Sequence, residues 1–370
     1  RSGIFHPQFF TMPELIMLFL AVMFCDILLL DLYNTYGLPT STTVSLVFEL
    51  LGAAVAVSVL KLVGAGRSLG EVVTYINTAK ALAIISGILI SVAVAFVAGA
   101  VVQLLSRLLL TFDFERRLRR WGGLWGGLAM AAITYFILAK GAKGASFLAP
   151  ETVVWINTHT GLLFGGAFVV SALVLQAVLL TTRVNILKPI VLIGTFALAM
   201  AFAANDLVNF IGVPLAGFAA YTAAHATADP LAATMEALRG PVRGNTLVLL
   251  GAGAIMVTTL WLSRKARTVT RTEVSLGRQE EGFERFEATA LSRSIVRLVS
   301  GLLDGIGRLT PAGLRRWAAR RFDRSAFRPA PARDGKVPSF DLVRAAVNLM
   351  VSSALISFAT SLKLPLSTTY

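Results

Sequence analysis

Long apolar runs separated by short polar stretches make up most of this sequence. Most runs are about 18 to 25 residues long, which at 1.5 Å of rise per residue is the length of an α-helix that crosses a lipid bilayer. We therefore predict an all-α, polytopic membrane protein with about eight spans. The predicted spans cover residues 14–35, 41–63, 80–105, 122–140, 160–181, 189–222 with an interruption, 244–263 and 341–361.

Composition agrees with this class. Of the 370 residues, 56% are hydrophobic and only 15% are charged, which is more apolar surface than one soluble core needs. The single cysteine, Cys25, excludes an intramolecular disulfide. The sequence contains no Gly-rich phosphate loop, dinucleotide fingerprint or zinc-binding spacing, so we expect no cytosolic nucleotide chemistry.

Positive charge is concentrated in one stretch. Residues 264–336 hold 17 lysines and arginines against 8 acidic residues, in a chain whose net charge is +14. Basic residues next to the ends of spans mark the cytoplasmic side, so we predict a basic cytoplasmic loop over residues 264–338 and no nucleic acid partner. The amphipathic middle of this loop fits a helix on anionic headgroups, a helix docking another domain, or a solvated loop that sets orientation. We favour the last.

The positions of the basic stretches also predict an orientation. Residues 106–121, 182–188 and 264–338 can all be cytoplasmic, because two predicted spans separate each neighbouring pair. The span 14–35 then runs inward and the span 341–361 runs outward. The two halves that contain these spans are therefore expected to be inverted repeats.

One short phrase occurs twice, as LPTSTT at residues 38–43 and LPLSTT at residues 364–369. Clustered hydroxyls beside a proline are unfavourable on a lipid-facing surface, because their polar groups find no partner in hydrocarbon. Interrupted segments at corresponding places in two halves are typical of a substrate site near the bilayer midplane. Helix capping would explain a single such phrase better, but the duplication of the phrase, beside an intramembrane Asn-Asp sequence, favours a binding site.

Amide and carboxylate side chains also occur inside the apolar stretch 189–222, at Asn205, Asp206 and Asn209. Polar groups at membrane depth need a partner or a ligand. If the helix continues, Asn205 and Asn209 share one face. If it breaks near Asn205, backbone carbonyls and Asp206 could coordinate a hard cation. The remaining alternative is hydrogen bonding between neighbouring helices.

Three further carboxylates lie in predicted spans. Asp26 and Asp31 precede the first Ser-Thr-Thr sequence, and Glu49 follows it. Asp26 and Asp31 could pair with a basic residue of a neighbouring span or relay protons, and the sequence leaves both alternatives open.

Together, the segments 34–43, 203–209 and 364–369 resemble the PiT family of inorganic phosphate transporters. The resemblance implies an inverted-repeat secondary transporter with discontinuous helices, which moves phosphate with sodium or protons by alternating access. Each repeat of the family pairs an Asn-Asp signature with a Pro-x-Ser-Thr-Thr signature. Ala203 stands where the family usually has glycine.

The resemblance also implies roles for particular residues. It assigns phosphate and cation binding to nine residues: Ser41, Thr42, Thr43, Asn205, Asp206, Asn209, Ser367, Thr368 and Thr369. Asp206 and Asn205 would be the sodium ligands. The Asn-Asp signature of the first repeat would precede Arg1, and a helix should follow Thr369, so we expect the natural protein to extend beyond both ends.

The division of the chain follows from the same resemblance. We predict a first repeat with connecting spans over residues 1–181, the first part of the second repeat over 182–263, the basic loop over 264–338, and the Ser-Thr-Thr part of the second repeat over 339–370. The expected location is the inner or plasma membrane of a bacterium.

The expected partners are inorganic phosphate, co-transported sodium or protons, and the lipid bilayer, with a homodimer left open and no other cofactor. A transporter of another oxyanion such as sulfate would use similar donors. A membrane-embedded enzyme acting on a phosphate ester would need a nucleophile with an adjacent base, and no histidine lies near either motif in the sequence. We therefore do not expect an enzyme.

Overall fold

A computed structural model describes residues 3–112, 114–144, 149–182, 184–240, 245–276, 289–323 and 341–361. These residues form helices and connecting turns, and no strand longer than an isolated bridge occurs among them. The α-helices are α1 (Met12–Tyr36), α2 (Thr42–Gly64), α3 (Val72–Tyr75), α4 (Thr78–Leu110), α5 (Phe114–Gly144), α6 (Pro150–Thr158), α7 (Thr160–Thr181), α8 (Leu187–His225), α9 (Thr246–Leu262), α10 (Arg264–Leu276), α11 (Ala290–Leu309), α12 (Ala312–Arg321) and α13 (Leu342–Ser361).

Each predicted span corresponds to a helix. Within the described residues, seven helices are long and apolar enough to cross a membrane, and α9 with the start of α10 makes an eighth if this pair, bent by 75°, is one span. The prediction of an all-α, multi-pass membrane protein is confirmed. Bounds agree to within a few residues for most spans, because bilayer thickness fixes the length of an apolar run.

The chain divides into two compact units. The first comprises the described parts of Arg1–Val94, Ala199–Glu273 and Phe358–Tyr370, and the second those of Ala95–Leu198 and Val274–Ser357. This division does not test the predicted repeat boundaries or their inversion, which stay predictions.

In the first unit, α1 and α2 form an antiparallel hairpin. Glu14 at the start of α1 accepts a hydrogen bond from the Thr11 N–H at 2.8 Å and forms an ion pair with Lys61, near the end of α2, at 3.0 Å. The core of this unit consists of apolar side chains from the hairpin, from the second half of α8 and from the segments that flank them. It contains Phe10, Met12, Leu15, Leu18, Phe19, Val22, Leu50, Ala54, Ile76, Val213, Ala220, Ala224 and Met235.

Helix α8 is continuous where the sequence suggested an interruption. Its backbone is helical from Leu187 to His225, through Asn205 and also through Pro214. The predicted interruption within residues 189–222 is therefore wrong. The reason is that Asp206 and Asn209 find partners on α2, as described below, so the backbone does not have to unwind to satisfy them.

In the second unit, α5 and α7 pack closely through small residues. A Cβ atom at Gly123 would lie 2.9 Å from the Ala172 carbonyl oxygen, and one at Gly127 would lie 2.8 Å from the Ala172 Cα. The Gln176 side chain crosses this contact and accepts a hydrogen bond from the Gly123 N–H at 3.1 Å. Small residues at helix crossings are typical of membrane proteins, because they let two backbones approach.

A buried ion pair joins the end of α4 to the start of α13 in the same unit. The Arg107 guanidinium contacts the Asp341 carboxylate, and both side chains are largely buried. Asp341 also accepts a hydrogen bond from the Val343 N–H at 2.9 Å, which caps α13. A carboxylate at the start of a helix is often a cap, but the sequence gives no local signal for the basic partner of Asp341.

Candidate substrate-binding site

The candidate site begins at the turn between α1 and α2. The Gly37 N–H donates to the Asn34 carbonyl at 3.1 Å, and the Leu38 N–H donates to the Tyr33 carbonyl at 2.8 Å. This is a Schellman ending, and it needs the left-handed conformation that Gly37 adopts with φ of 61°. Pro39 then prevents the helix from continuing. The sequence thus places the hydroxyl cluster at the tip of a hairpin.

The Ser-Thr-Thr sequence forms the N-terminus of α2. Ser41 is buried, and its Oγ accepts a hydrogen bond from the Val44 N–H at 3.4 Å. The capping interpretation is therefore correct for Ser41. Thr42 and Thr43 are the first two helical residues, where the direction of the backbone N–H groups and the helix dipole make the surroundings positive.

Side chains from α8 face these two threonines. The Thr42 hydroxyl donates to Asp206 Oδ1 at 2.9 Å. Asn209 Nδ2 donates to Thr42 Oγ1 at 3.2 Å and to Thr43 Oγ1 at 3.0 Å. Asp206 and Asn209 are three residues apart and so share one face of α8. The structure brings these four side chains together from positions more than 160 residues apart in the sequence.

Asp206 lies 19 positions from each end of α8, Leu187 and His225. All four side chains of the cluster are half-buried, so they are neither sealed in a core nor fully open to their surroundings. A carboxylate, two hydroxyls and an amide, beside a helix N-terminus, can together bind a cation through oxygen and an oxyanion through N–H and O–H donors.

Two further carboxylates near the hairpin tip have partners that the sequence did not identify. Asp31 forms an ion pair with Lys265 at 2.6 Å, in the first turn of α10, which favours pairing over proton relay at this residue. Glu49 accepts a hydrogen bond from the Ser45 hydroxyl at 2.8 Å, one turn earlier in α2. The signal for the first pair was present in the sequence, since Lys265 follows directly after a span.

The other predicted site residues cannot be placed in the same way. Ser367, Thr368 and Thr369 lie outside the described residues. The backbone of Asn205 is helical, but its side chain is not among those described. The roles predicted for these four residues, and the binding role of Ser41, stay predictions.

Residues 1–284 match the model of the phosphate transporter family. The chain belongs to the phosphate transporter family. The part of this family member that matches includes both elements of the cluster, the tip of the α1–α2 hairpin and the middle of α8.

A curated protein of Pyrococcus furiosus, named "Putative phosphate permease PF1020", is also similar to this family member. The two are 27% identical over 231 residues, which are 60% of this chain and 51% of that protein. The chain thus spans about half the length of this curated relative. No solved structure matches the chain.

Proposed function

We propose that the chain belongs to a secondary transporter that carries inorganic phosphate across a membrane together with sodium ions or protons. The contact of Thr42 and Thr43 with Asp206 and Asn209 carries this proposal. The membership of the phosphate transporter family and the printed name of the Pyrococcus relative both support phosphate as the cargo.

The donor set suits a tetrahedral oxyanion. Phosphate presents several oxygens at once, and the tip of α2 offers hydroxyls together with the backbone N–H groups of a helix N-terminus. Asn209 adds an amide donor, because its Nδ2 already lies within hydrogen-bonding distance of both threonine hydroxyls. To bind an anion, the Thr42 hydroxyl and the Asn209 amide would exchange these internal hydrogen bonds for bonds to the anion oxygens.

Asp206 makes binding of the anion depend on a cation. Its carboxylate already lies at the positive end of α2, where it accepts the Thr42 hydroxyl. An ionised Asp206 and a phosphate charge about 5 Å apart repel each other by about 3 kcal/mol at an effective dielectric constant of about 20. A sodium ion held by carboxylate and hydroxyl oxygens, or a proton on Asp206, removes this repulsion. Coupling therefore follows from the chemistry of the cluster itself.

Alternating access would then expose this cluster to the two sides in turn. The inverted repeats that the family resemblance implies support such a mechanism, because one repeat can rock against the other around a fixed site.

The test is uptake of radiolabelled phosphate by the complete protein in proteoliposomes, with sodium and pH gradients imposed separately. We expect one gradient to drive saturable uptake, and excess sulfate not to inhibit it. Absence of uptake under both gradients would refute transport. If excess sulfate inhibited uptake as strongly as excess unlabelled phosphate, the cluster would instead be assigned to oxyanions in general.

A further inference from the structure

Helix α11 has an apolar face that no other described element covers. Leu291, Ile295, Leu298 and Leu302 fall within an arc of about 60° when residues are placed at 100° intervals. Leu291, Leu298 and Leu302 are 72%, 66% and 61% exposed. A helical face of this kind is not stable in water, so it requires a cover.

The opposite face of α11 is basic. Arg293, Arg297 and Arg308 lie together on the side away from the leucines. Over residues 289–323, which include α12, the chain has seven arginines and two aspartates, a net charge of +5. An apolar stripe opposite arginines is the pattern of helices that lie in the plane of a membrane surface with anionic headgroups.

Contacts of α12 place this segment at the end of a candidate span. The Arg321 guanidinium donates to the Leu108 carbonyl at 3.0 Å, two residues before α4 ends at Leu110. The same guanidinium lies over the Trp317 ring, with 5.0 Å between its central carbon and the ring centroid. Tryptophan and arginine at the end of a span are typical of the membrane–water interface. The bilayer surface at that end of α4 is therefore the nearest apolar environment that could bury the exposed face of α11.

We propose that α11 and α12 form a membrane-surface segment, which inserts its apolar stripe between lipids and binds anionic phospholipid headgroups through its arginines. The segment is tethered to the bilayer by the spans of its own chain, so its binding is intramolecular and is favoured by a high effective concentration. This interaction surface is separate from the proposed transport site. It also differs from the solvated loop that the sequence alone favoured.

The experiment uses nitroxide labels in the complete protein, reconstituted in nanodiscs that contain phosphatidylglycerol. In a Cys25→Ala background, single cysteines replace Leu298 or Leu302 on the apolar face and Arg297 or Ser300 on the polar face. A cysteine at Leu173, exposed in the middle of α7, calibrates lipid exposure. The measurement is a ratio of two collision rates of the nitroxide. The first is its collision rate with oxygen, which is lipid-soluble, and the second is its collision rate with a water-soluble nickel chelate.

We expect this ratio to be several-fold higher at Leu298 and Leu302 than at Arg297 and Ser300, and to approach the value at Leu173. Water exposure at all four positions would overturn the proposal. The proposal would also be overturned if neither reagent reached positions 298 and 302, because protein and not lipid would then cover the apolar stripe. In nanodiscs of phosphatidylcholine alone, or after Arg293→Gln with Arg308→Gln, the ratio at Leu298 should fall at least twofold. An unchanged ratio in both conditions would refute the recognition of anionic lipid.

Discussion

The hydrogen bond between Thr42 and Asp206 can be tested by its energy. The Thr42→Val substitution keeps the shape of the side chain but removes the hydroxyl that donates to Asp206 at 2.9 Å and accepts from Asn209 at 3.2 Å. Hydrogen bonds to charged groups in proteins are worth about 1.5 to 3 kcal/mol, whereas bonds between membrane helices average about 0.6 kcal/mol and reach about 1.7. For a charge-assisted bond in a half-buried site we expect about 1 to 2 kcal/mol.

A double-mutant cycle isolates this value. The complete protein with Thr42→Val, Asp206→Ala, or both is unfolded reversibly in mixed micelles, and the free energy of unfolding is measured by circular dichroism. We expect a coupling energy of about 1 to 2 kcal/mol between the two sites. Under the proposed function the Thr42 hydroxyl also donates to bound phosphate; loss of a bond of about 1 to 2 kcal/mol should then raise the apparent KM by about 5- to 30-fold, since 1.4 kcal/mol is a factor of ten.

The matched control is Thr222→Val in the same helix as Asp206. The Thr222 hydroxyl donates only to the Phe218 carbonyl of its own helix, at 2.8 Å, among the contacts described for it. Its coupling with Asp206→Ala should stay below about 0.5 kcal/mol, because the two positions are about 24 Å apart along the helix. If Thr42 and Thr222 show the same coupling with Asp206, the contact does not hold α2 against α8 and the reasoning fails.

Two further predictions concern the second unit. Gly123→Ala should destabilise the complete protein by about 1 to 3 kcal/mol, because the added Cβ meets the backbone of α7. Gly165→Ala is the control, since a Cβ at Gly165 would have no atom within 4 Å. Equal thermal unfolding midpoints in detergent for both variants would contradict the close packing. Arg107→Gln should lower the free energy of unfolding by about 3 to 5 kcal/mol, because it leaves a buried carboxylate without its ion-pair partner. Adding Asp341→Asn should restore part of this free energy. An Arg107→Gln variant as stable as the wild type would show that the ion pair does not stabilise the fold.

The sequence was sufficient for the helices and for one contact of the candidate site. Bilayer thickness sets the lengths of apolar runs, so helices such as α7 were predicted to the residue, at 160–181. The grouping of Thr42 with Asp206 was also foreseeable, because each is a polar group that needs a partner in an apolar environment.

The remaining features depend on which side chains meet across the fold. The continuity of α8 could not be predicted, because the polar residues resemble a helix break until their partners on α2 are known. The same holds for the ion pair of Arg107 with Asp341, whose two members lie 234 positions apart in the sequence. Such contacts have no local periodicity that a pattern could reveal.

The most direct test of the central claim is phosphate binding to the purified complete protein, measured by isothermal titration calorimetry across a range of sodium concentrations and pH values. We predict that wild-type affinity rises with sodium or with protons, and that Asp206→Asn removes this dependence while Thr222→Val retains it. If Asp206→Asn binds phosphate with unchanged cation dependence, the Asp206 carboxylate is not the element that couples the two ions.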